Sequence, residues 1–392
     1  MRILQLGKFY PIRGGVEKVM WDLTRGLAGR GVACDMLCAK LPGDGIDPVD
    51  RPYHGIVDGV EVLRFPDGRT VWCVKAWAKK AATMLSPAMV RWLRRHREEY
   101  DIVHVHHPDP MAALALRLSG FRGKVVLHWH SDILSQRLLL LLYRPLQSWL
   151  IQRADAIVGT TPAYLQASPW LTAVQGKCVA VPIGIEPVRF DPDKAQAFRD
   201  RYPGKRIILS IGRLVPYKGF RYLVDALGRL PDAYHLVIGG TGPLREELEA
   251  QIRENALDGR VTLLGYVPSE DLPSWYGACD LFVLSSVMKT EAFGIVQIEA
   301  MSCGKPVVAT RIPGSGVAWV NQEGVSGLNV PPEDAAALAE AIRRVADGRE
   351  RFGADARRLF QERYTFDGMI DGILTVYHSI MQRHSPEPGT RR

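Results

Sequence analysis

Residues 291–310, EAFGIVQIEAMSCGKPVVAT, set two carboxylates, Glu291 and Glu299, eight positions apart in an otherwise apolar run. An ionised carboxylate inside a buried segment is costly unless it is paired or hydrogen-bonded. The two glutamates are therefore either solvated on a surface helix or aimed at a polar ligand. Arg213 and Lys218, in GRLVPYKG, lie just past a predicted strand and at the start of a predicted helix. Two cations at the carboxyl edge of a sheet suit a diphosphate. Each contributes on the order of 4 kcal/mol of Coulomb attraction at ~4 Å and an effective dielectric of ~20, before desolvation. Arg can grip two oxygens, while Lys acts as a point charge. Gly14-Gly15 follows the first strand and opens the first helix, where free N–H groups favour an anion. The spacing is not GxGxxG, so it is no dinucleotide fingerprint. Gly240-Thr241-Gly242-Pro243 also joins a strand to a helix, but Arg245 takes the third glycine position. No acidic ribose partner follows convincingly, so a tight turn is expected there rather than an NAD site.

Five of the ten histidines fall within residues 104–130: His104, His106, His107, His128 and His130. His104/His106 and His128/His130 each share one face of a strand. A zinc site usually adds a carboxylate or thiolate, and Asp109 and Asp132 are available. The competing reading puts His130, in WHSD at a strand end, towards a cleft and leaves the others to pack and hydrogen-bond. The second reading is preferred, so no metal is expected. Asp191-Pro192-Asp193 mimics a DxD metal motif but lies in a linker, and reads as turn chemistry.

These residues need a scaffold, and the pattern around them supplies one. Short β-branched runs at 3–7, 32–39, 102–106, 125–129 and 156–159 alternate with helical periodicity at 16–30, 111–119 and 134–153. The alternation lapses at 182–193 (PIGIEPVRFDPD), which reads as a linker. It restarts with strands at 207–211, 235–238, 261–264, 281–284 and 307–309, and helices at about 218–229, 243–254, 270–277, 295–303 and 333–346. That is an α/β fold of two doubly wound, Rossmann-like domains. The expected boundaries are 1–182 and 183–365, with a last helix at about 366–384 returning to the first domain. Ligands of such sheets bind beyond the carboxyl ends of the strands, and the default site is a cleft between the two domains.

Composition narrows the class. At 392 residues, 47% hydrophobic and 23% charged, the chain is an ordinary globular protein of two domains or more. Its six cysteines are scattered without a CxxC and read as reduced thiols of a cytoplasmic protein. MRILQLGKFYP begins as a strand, without a leader pattern. The oily patch 138–143 is far short of the ~20 residues of a spanning helix. The net charge of +8 favours acidic partners. Part of it is concentrated in 75–97, KAWAKKAATMLSPAMVRWLRRHR, a basic amphipathic segment broken near Ser86-Pro87. It suits either the inner face of an anionic membrane or plain solvation. No nucleic-acid motif accompanies the charge.

GGVE at 14–17, HSD at 130–132, PIGIE at 182–186, GRLVPYKG, GGTGP at 239–243 and above all EAFGIVQIEAMSCGKPVVAT together resemble the retaining GT-B glycosyltransferases of family GT4. The resemblance covers nearly the whole chain. It is nearest in look to bacterial mannosyl- and rhamnosyltransferases of O-antigen-type polysaccharides, notably over 314–332. The resemblance implies a nucleotide-sugar donor, with GDP and mannose or rhamnose the expected pair, a lipid-linked or oligosaccharide acceptor, and no cofactor. It implies that Glu299 takes the ribose hydroxyls and Glu291 lies by the transferred sugar. Phe293, Gly294 and Ile295 would offer backbone N–H groups. Arg213 and Lys218 would neutralise the leaving diphosphate, and His130 and Gly15 would complete the site from the N-terminal domain. Other classes on the same architecture are a sugar-nucleotide epimerase, a metal-dependent hydrolase built on the histidines, or a binding module without activity.

Overall fold

The structure, a computed structural model, describes residues 1–9, 15–43, 53–80, 83–133 and 137–383. The chain divides into two compact units, one of residues 1–181 and 367–392, the other of residues 182–366.

The strands of the first unit are β1 (Arg2–Phe9), β2 (Ala33–Lys40), β3 (Tyr53–Val57), β4 (Val60–Arg64), β5 (Thr70–Lys75), β6 (Ala78–Lys80), β7 (Thr83–Leu85), β8 (Ile102–His107), β9 (Lys124–Trp129), β10 (Ala156–Gly159) and β11 (Cys178–Ala180). Nine of them form one sheet in the order β11-β10-β9-β8-β1-β2-β5-β4-β3, while β6 and β7 form a separate hairpin. From β11 to β5 the sheet is parallel; β4 and β3 add antiparallel edges. Helices on both faces explain why β8 and β10 are buried at every position. The second unit contains β12 (Arg206–Ile211), β13 (Tyr234–Gly239), β14 (Val261–Gly265), β15 (Leu281–Leu284), β16 (Val307–Thr310) and β17 (Gly327–Val330). They form an all-parallel sheet in the order β14-β13-β12-β15-β16-β17. Numbered within the unit this is 3-2-1-4-5-6, the Rossmann order, whose direction reverses between β12 and β15.

Both sheets match the expected fold class. The structure departs from the sequence reading in several stretches, among them Tyr53–Lys75, where β3, β4 and β5 lie outside the expected strands. In the basic segment, residues 75–80 and 83–85 form the end of β5 and the antiparallel pair β6 and β7. The helix begins only at Pro87 and buries Met89, Trp92 and Leu93. Trp92 stacks on His96 at 4.3 Å and tilts against Trp72 at 5.2 Å, so this aromatic belongs to the core. Strand β17 is only four residues long and includes a buried asparagine. Helix Arg349–Arg363 is rich in charge of both signs, yet buries Phe352, Ala356, Leu359 and Phe360. Asp191 caps the helix Pro192–Arg199, accepting from the amides of Asp193 (2.9 Å) and Lys194 (3.2 Å). The DxD look-alike is thus a helix start, held by the side chain that would otherwise face a metal. The cysteines are all free thiols. No described helix is long and apolar enough to cross a membrane.

Candidate active site

In the second unit the direction reversal leaves the loops after β12 and β15 side by side. Each carries half of the candidate chemistry. After β12, Pro216–Lys218 form a single 3-10 turn before helix Phe220–Leu227, so Lys218 precedes the helix rather than opening it. After β15, residues 285–294 lead into helix Ile295–Ser302. Ser285 Oγ donates to the Lys218 carbonyl at 3.0 Å, and the Val287 amide to the Tyr217 carbonyl at 2.8 Å. Lys218 Nζ reaches Glu291 Oε2 at 2.5 Å, and both side chains are 12% exposed. Ser286 Oγ donates to the same carboxylate oxygen at 2.9 Å. This answers how Glu291 survives in an apolar run: a cation and a hydroxyl compensate it.

Glu299 is compensated differently. Tyr276, fully buried on helix Leu272–Ala278, donates its hydroxyl to Glu299 Oε2 at 2.6 Å. Burial, and next the Glu299 charge, push the Tyr276 hydroxyl well above the ordinary tyrosine value, so it stays a donor. Arg213 is exposed, and its guanidinium has no hydrogen bond or ion pair among the described residues.

Gly294 has φ +74°, and a Cβ there would lie 2.6 Å from Leu284 and 2.8 Å from Gln297. Glycine is therefore required by conformation and packing at this helix start. No side chain caps the helix, and the amides of Phe293, Gly294 and Ile295 donate to no other described group. Unpaired N–H groups at a helix N-terminus favour an anion or an acceptor oxygen. The Phe293 ring itself is core, edge-on to Tyr364 at 6.1 Å. The loop is pinned from behind. Thr310 Oγ1 donates to the Ser286 carbonyl, Ser315 Oγ to the Glu291 carbonyl at 2.5 Å, and the Gly316 amide to the Ala292 carbonyl at 3.0 Å. The glycine turn after β13 serves as a floor. A Cβ on Gly240 would lie 1.9 Å from the Gly212 carbonyl, and one on Gly242 2.4 Å from that of Leu214. The turn thus packs backbone to backbone against the loop that bears Arg213.

In the first unit Gly15 opens helix Gly15–Gly29, whose first turn includes the buried Glu17; Gly14 lies outside the described residues. His130 follows β9 and is buried. His106, His128 and His130 bring ring nitrogens within 4.8 Å of one another. His128 and His130 are stacked, however, 5° from parallel at 4.0 Å, and His106 Nδ1 meets His130 Nε2 edge to edge at 2.9 Å. Imidazole lone pairs lie in the ring plane, so the stacked pair does not converge on one ion as a tetrahedral site requires, and the two facing nitrogens are taken up by their mutual hydrogen bond. The zinc reading does not fit this arrangement. Asp109 and Asp132 are also engaged elsewhere, Asp109 capping helix Pro110–Ser119 and Asp132 accepting from Trp129 Nε1 (2.9 Å) and Ser168 Oγ (2.7 Å).

Residues 13–189 match the family described as Glycosyltransferase Family 4, and residues 192–359 match Glycosyl transferases group 1. Over 98% of its length the chain is 31% identical to the whole of the O-antigen chain mannosyltransferase C of Escherichia coli. The chain belongs to glycosyltransferase family 4. This family-4 chain is also 31% identical, over 93% of its length and 92% of the relative's, to the D-rhamnosyltransferase WbpZ of Pseudomonas aeruginosa. Among solved structures it resembles Anabaena HepE in complex with UDP, with a TM-score of 0.75 and 22% identity over 97% of this chain and all of that one. The sucrose-phosphate synthase of Thermosynechococcus elongatus has the same TM-score, 0.75, at 22% identity over 98% of this chain and all of that one. These likenesses carry the fold, which is GT-B. As a family member the chain is a glycosyltransferase.

Sequence reasoning missed Tyr276, Ser286, Thr310 and Ser315. Tyr276 reads as core within WYGACD, and the three hydroxyls act only through loops that the sheet order brings together. It also missed Lys8, a buried lysine with φ +60° whose Nζ donates to the Pro108 carbonyl at 2.5 Å.

Proposed function

We propose that this family-4 glycosyltransferase moves mannose or rhamnose from a GDP-linked donor to a lipid-linked or oligosaccharide acceptor during cell-surface polysaccharide synthesis. The anomeric configuration is retained and no metal takes part. The observation that carries the reading is the Lys218–Glu291 pair beside an uncapped helix start, one turn before a tyrosine-held Glu299. The named activities of the two relatives support the sugar. In this reading Glu299 accepts from the ribose hydroxyls. Lys218 and Arg213 meet the diphosphate, and the amides of Phe293, Gly294 and Ile295 give it further donors. Lys218 leaves Glu291 to do so, and Glu291 turns to the transferred sugar and favours positive charge at its anomeric carbon. Stabilising the charge that grows on the leaving diphosphate is the main catalytic task, and removing one such group typically costs ~10²–10³ in rate. His130 and Gly15 contribute from the first unit.

Contact with an anionic membrane surface through 75–97 belongs to the same reading, but through its hairpin rather than a helix. Trp77 is 73% and Leu85 44% exposed, and their backbones are hydrogen-bonded to each other beside the exposed Lys75 and Lys79. An aromatic and a leucine flanked by lysines suit the headgroup boundary.

The test is a thermal-shift panel of GDP, UDP, ADP and their sugar conjugates, with and without EDTA. A ligand at 100 times its Kd stabilises by about 2.7 kcal/mol. A selective shift with GDP and GDP-mannose, indifferent to EDTA, is expected. No shift with any nucleotide, or loss of the shift on chelation, overturns the reading. Vesicles with and without anionic lipid test the membrane part by flotation of wild type and Trp77→Ser.

A further inference from the structure

Gln5, His104, His106 and Tyr377 are fully buried in the first unit and form one hydrogen-bonded line that ends at His130. Tyr377 is delivered by helix Phe366–Gln382, which lies within this unit from Asp367 onward. Gln5 Nε2 donates to Tyr377 Oη at 3.1 Å and approaches Cys34 Sγ at 3.8 Å. Its Oε1 lies 2.8 Å from His106 Nε2. His106 Nδ1 lies 2.9 Å from His130 Nε2, and Tyr377 Oη lies 2.6 Å from His104 Nδ1.

The proton positions follow in order. An amide oxygen only accepts, so His106 Nε2 carries its proton. A neutral imidazole has one proton, so His106 Nδ1 is a lone pair. The proton between the rings therefore belongs to His130 Nε2. At the other end Tyr377 accepts from Gln5 and gives its single proton to His104 Nδ1, which leaves the proton of His104 on a buried Nε2 with no partner among the described residues. Burial and the neighbours His128, His106, Lys8 and His104 hold His130 well below the ordinary histidine value, so it stays neutral. His130 Nδ1 makes no hydrogen bond among the described residues.

We propose that Gln5, His106 and Tyr377 are positioning residues that fix the proton of His130 on Nε2, so that Nδ1 presents a lone pair to a hydroxyl of the bound sugar or acceptor. This rests on the reading of His130 as a substrate-contacting residue. A hydroxyl donor is then required at that point, because a ring nitrogen without a proton gives nothing to an acceptor group. The order of the line also makes the C-terminal helix part of the site's chemistry, through one phenolic hydroxyl.

Imidazole-¹⁵N-labelled full chain, observed by long-range nitrogen–proton NMR, reads the tautomer directly. Wild type is expected to show an unprotonated Nδ1 and a protonated Nε2 on His130. Tyr377→Phe frees the Gln5 amide to turn over. It is expected to give averaged nitrogen shifts on His130 and a kcat lower by on the order of tenfold, with the Kd for GDP unchanged. Gln5→Leu is a second variant should Tyr377→Phe fail to fold. A protonated Nδ1 in wild type overturns the inference. So do His130 shifts and kcat in both variants that equal those of wild type. Full transfer by His130→Ala instead overturns the placing of His130 on the substrate, and the inference with it.

Discussion

Glu291→Gln separates binding from chemistry by sign. Without ligand, Lys218 is held by Glu291 at 2.5 Å with both side chains 12% exposed. A diphosphate must draw Lys218 away from that carboxylate. The gross attraction at this distance and a dielectric of ~20 is about 7 kcal/mol. Desolvation offsets most of it, and partly exposed pairs retain about 1 kcal/mol net. The amide keeps the shape and can still accept from Ser286, but it removes the charge. Glu291→Gln should therefore bind GDP about fivefold to tenfold more tightly while transfer falls by about 10² or more. Calorimetric titration of GDP at two salt concentrations measures this, and the gain should shrink as salt screens the pair. Weaker GDP binding by a variant whose unliganded melting temperature is unchanged refutes the competition. Wild-type transfer refutes the role of Glu291.

Three other perturbations have definite outcomes. Lys218→Met should weaken GDP about tenfold, the reverse of Glu291→Gln; unchanged affinity in a titration counts against the diphosphate role. Tyr276→Phe removes a hydrogen bond to a charged group worth about 1.5–3 kcal/mol, so the KM for donor should rise at least tenfold with kcat little changed. A purely structural effect would lower stability and leave that KM alone. Burial lowers His107 and His128 to about 3, and His104, His106 and His130 well below their ordinary value. The unfolded chain binds these protons below about pH 6.5 and the folded chain does not. Stability is therefore fully present above that pH and falls below it, by about 1.4 kcal/mol per histidine per pH unit. For His107 and His128 alone this is about 5 kcal/mol by pH 4.5. Urea melts from pH 7.5 to 4.5 test it, and a flat stability across that window contradicts it.

The doubly wound sheets were legible because buried parallel strands read as continuous apolar runs, β8 among them despite its histidines. Glu291 and Glu299 stood out for the opposite reason, as charges in a run that should carry none. Their partners did not stand out. Lys218 and Glu291 are 73 residues apart, and only the adjacency of β12 and β15 brings them together. Tyr276 has the composition of core, and its function lies in one hydroxyl. The histidines suggested metal by number, but ring orientation decides coordination, and sequence holds no record of it. In 75–97 basic and aromatic residues imitate an amphipathic segment, whereas Trp72 on β5 packs against Trp92 and leaves only Trp77 outside.

The glycine floor beneath Arg213 divides the neighbourhood into parts with unequal freedom to change. No side chain can be added at Gly240 or Gly242 without parting two backbones, so substitution there breaks the pocket before it can retune it. The chain just before Glu291 is less enclosed: Met288 is 49% exposed, and Thr290 is exposed as well. Substitutions at Met288 and Thr290 are therefore expected to fold, which a comparison of melting temperatures with wild type measures. The same asymmetry leaves room for sequence change at the exposed positions and holds the two glycines fixed.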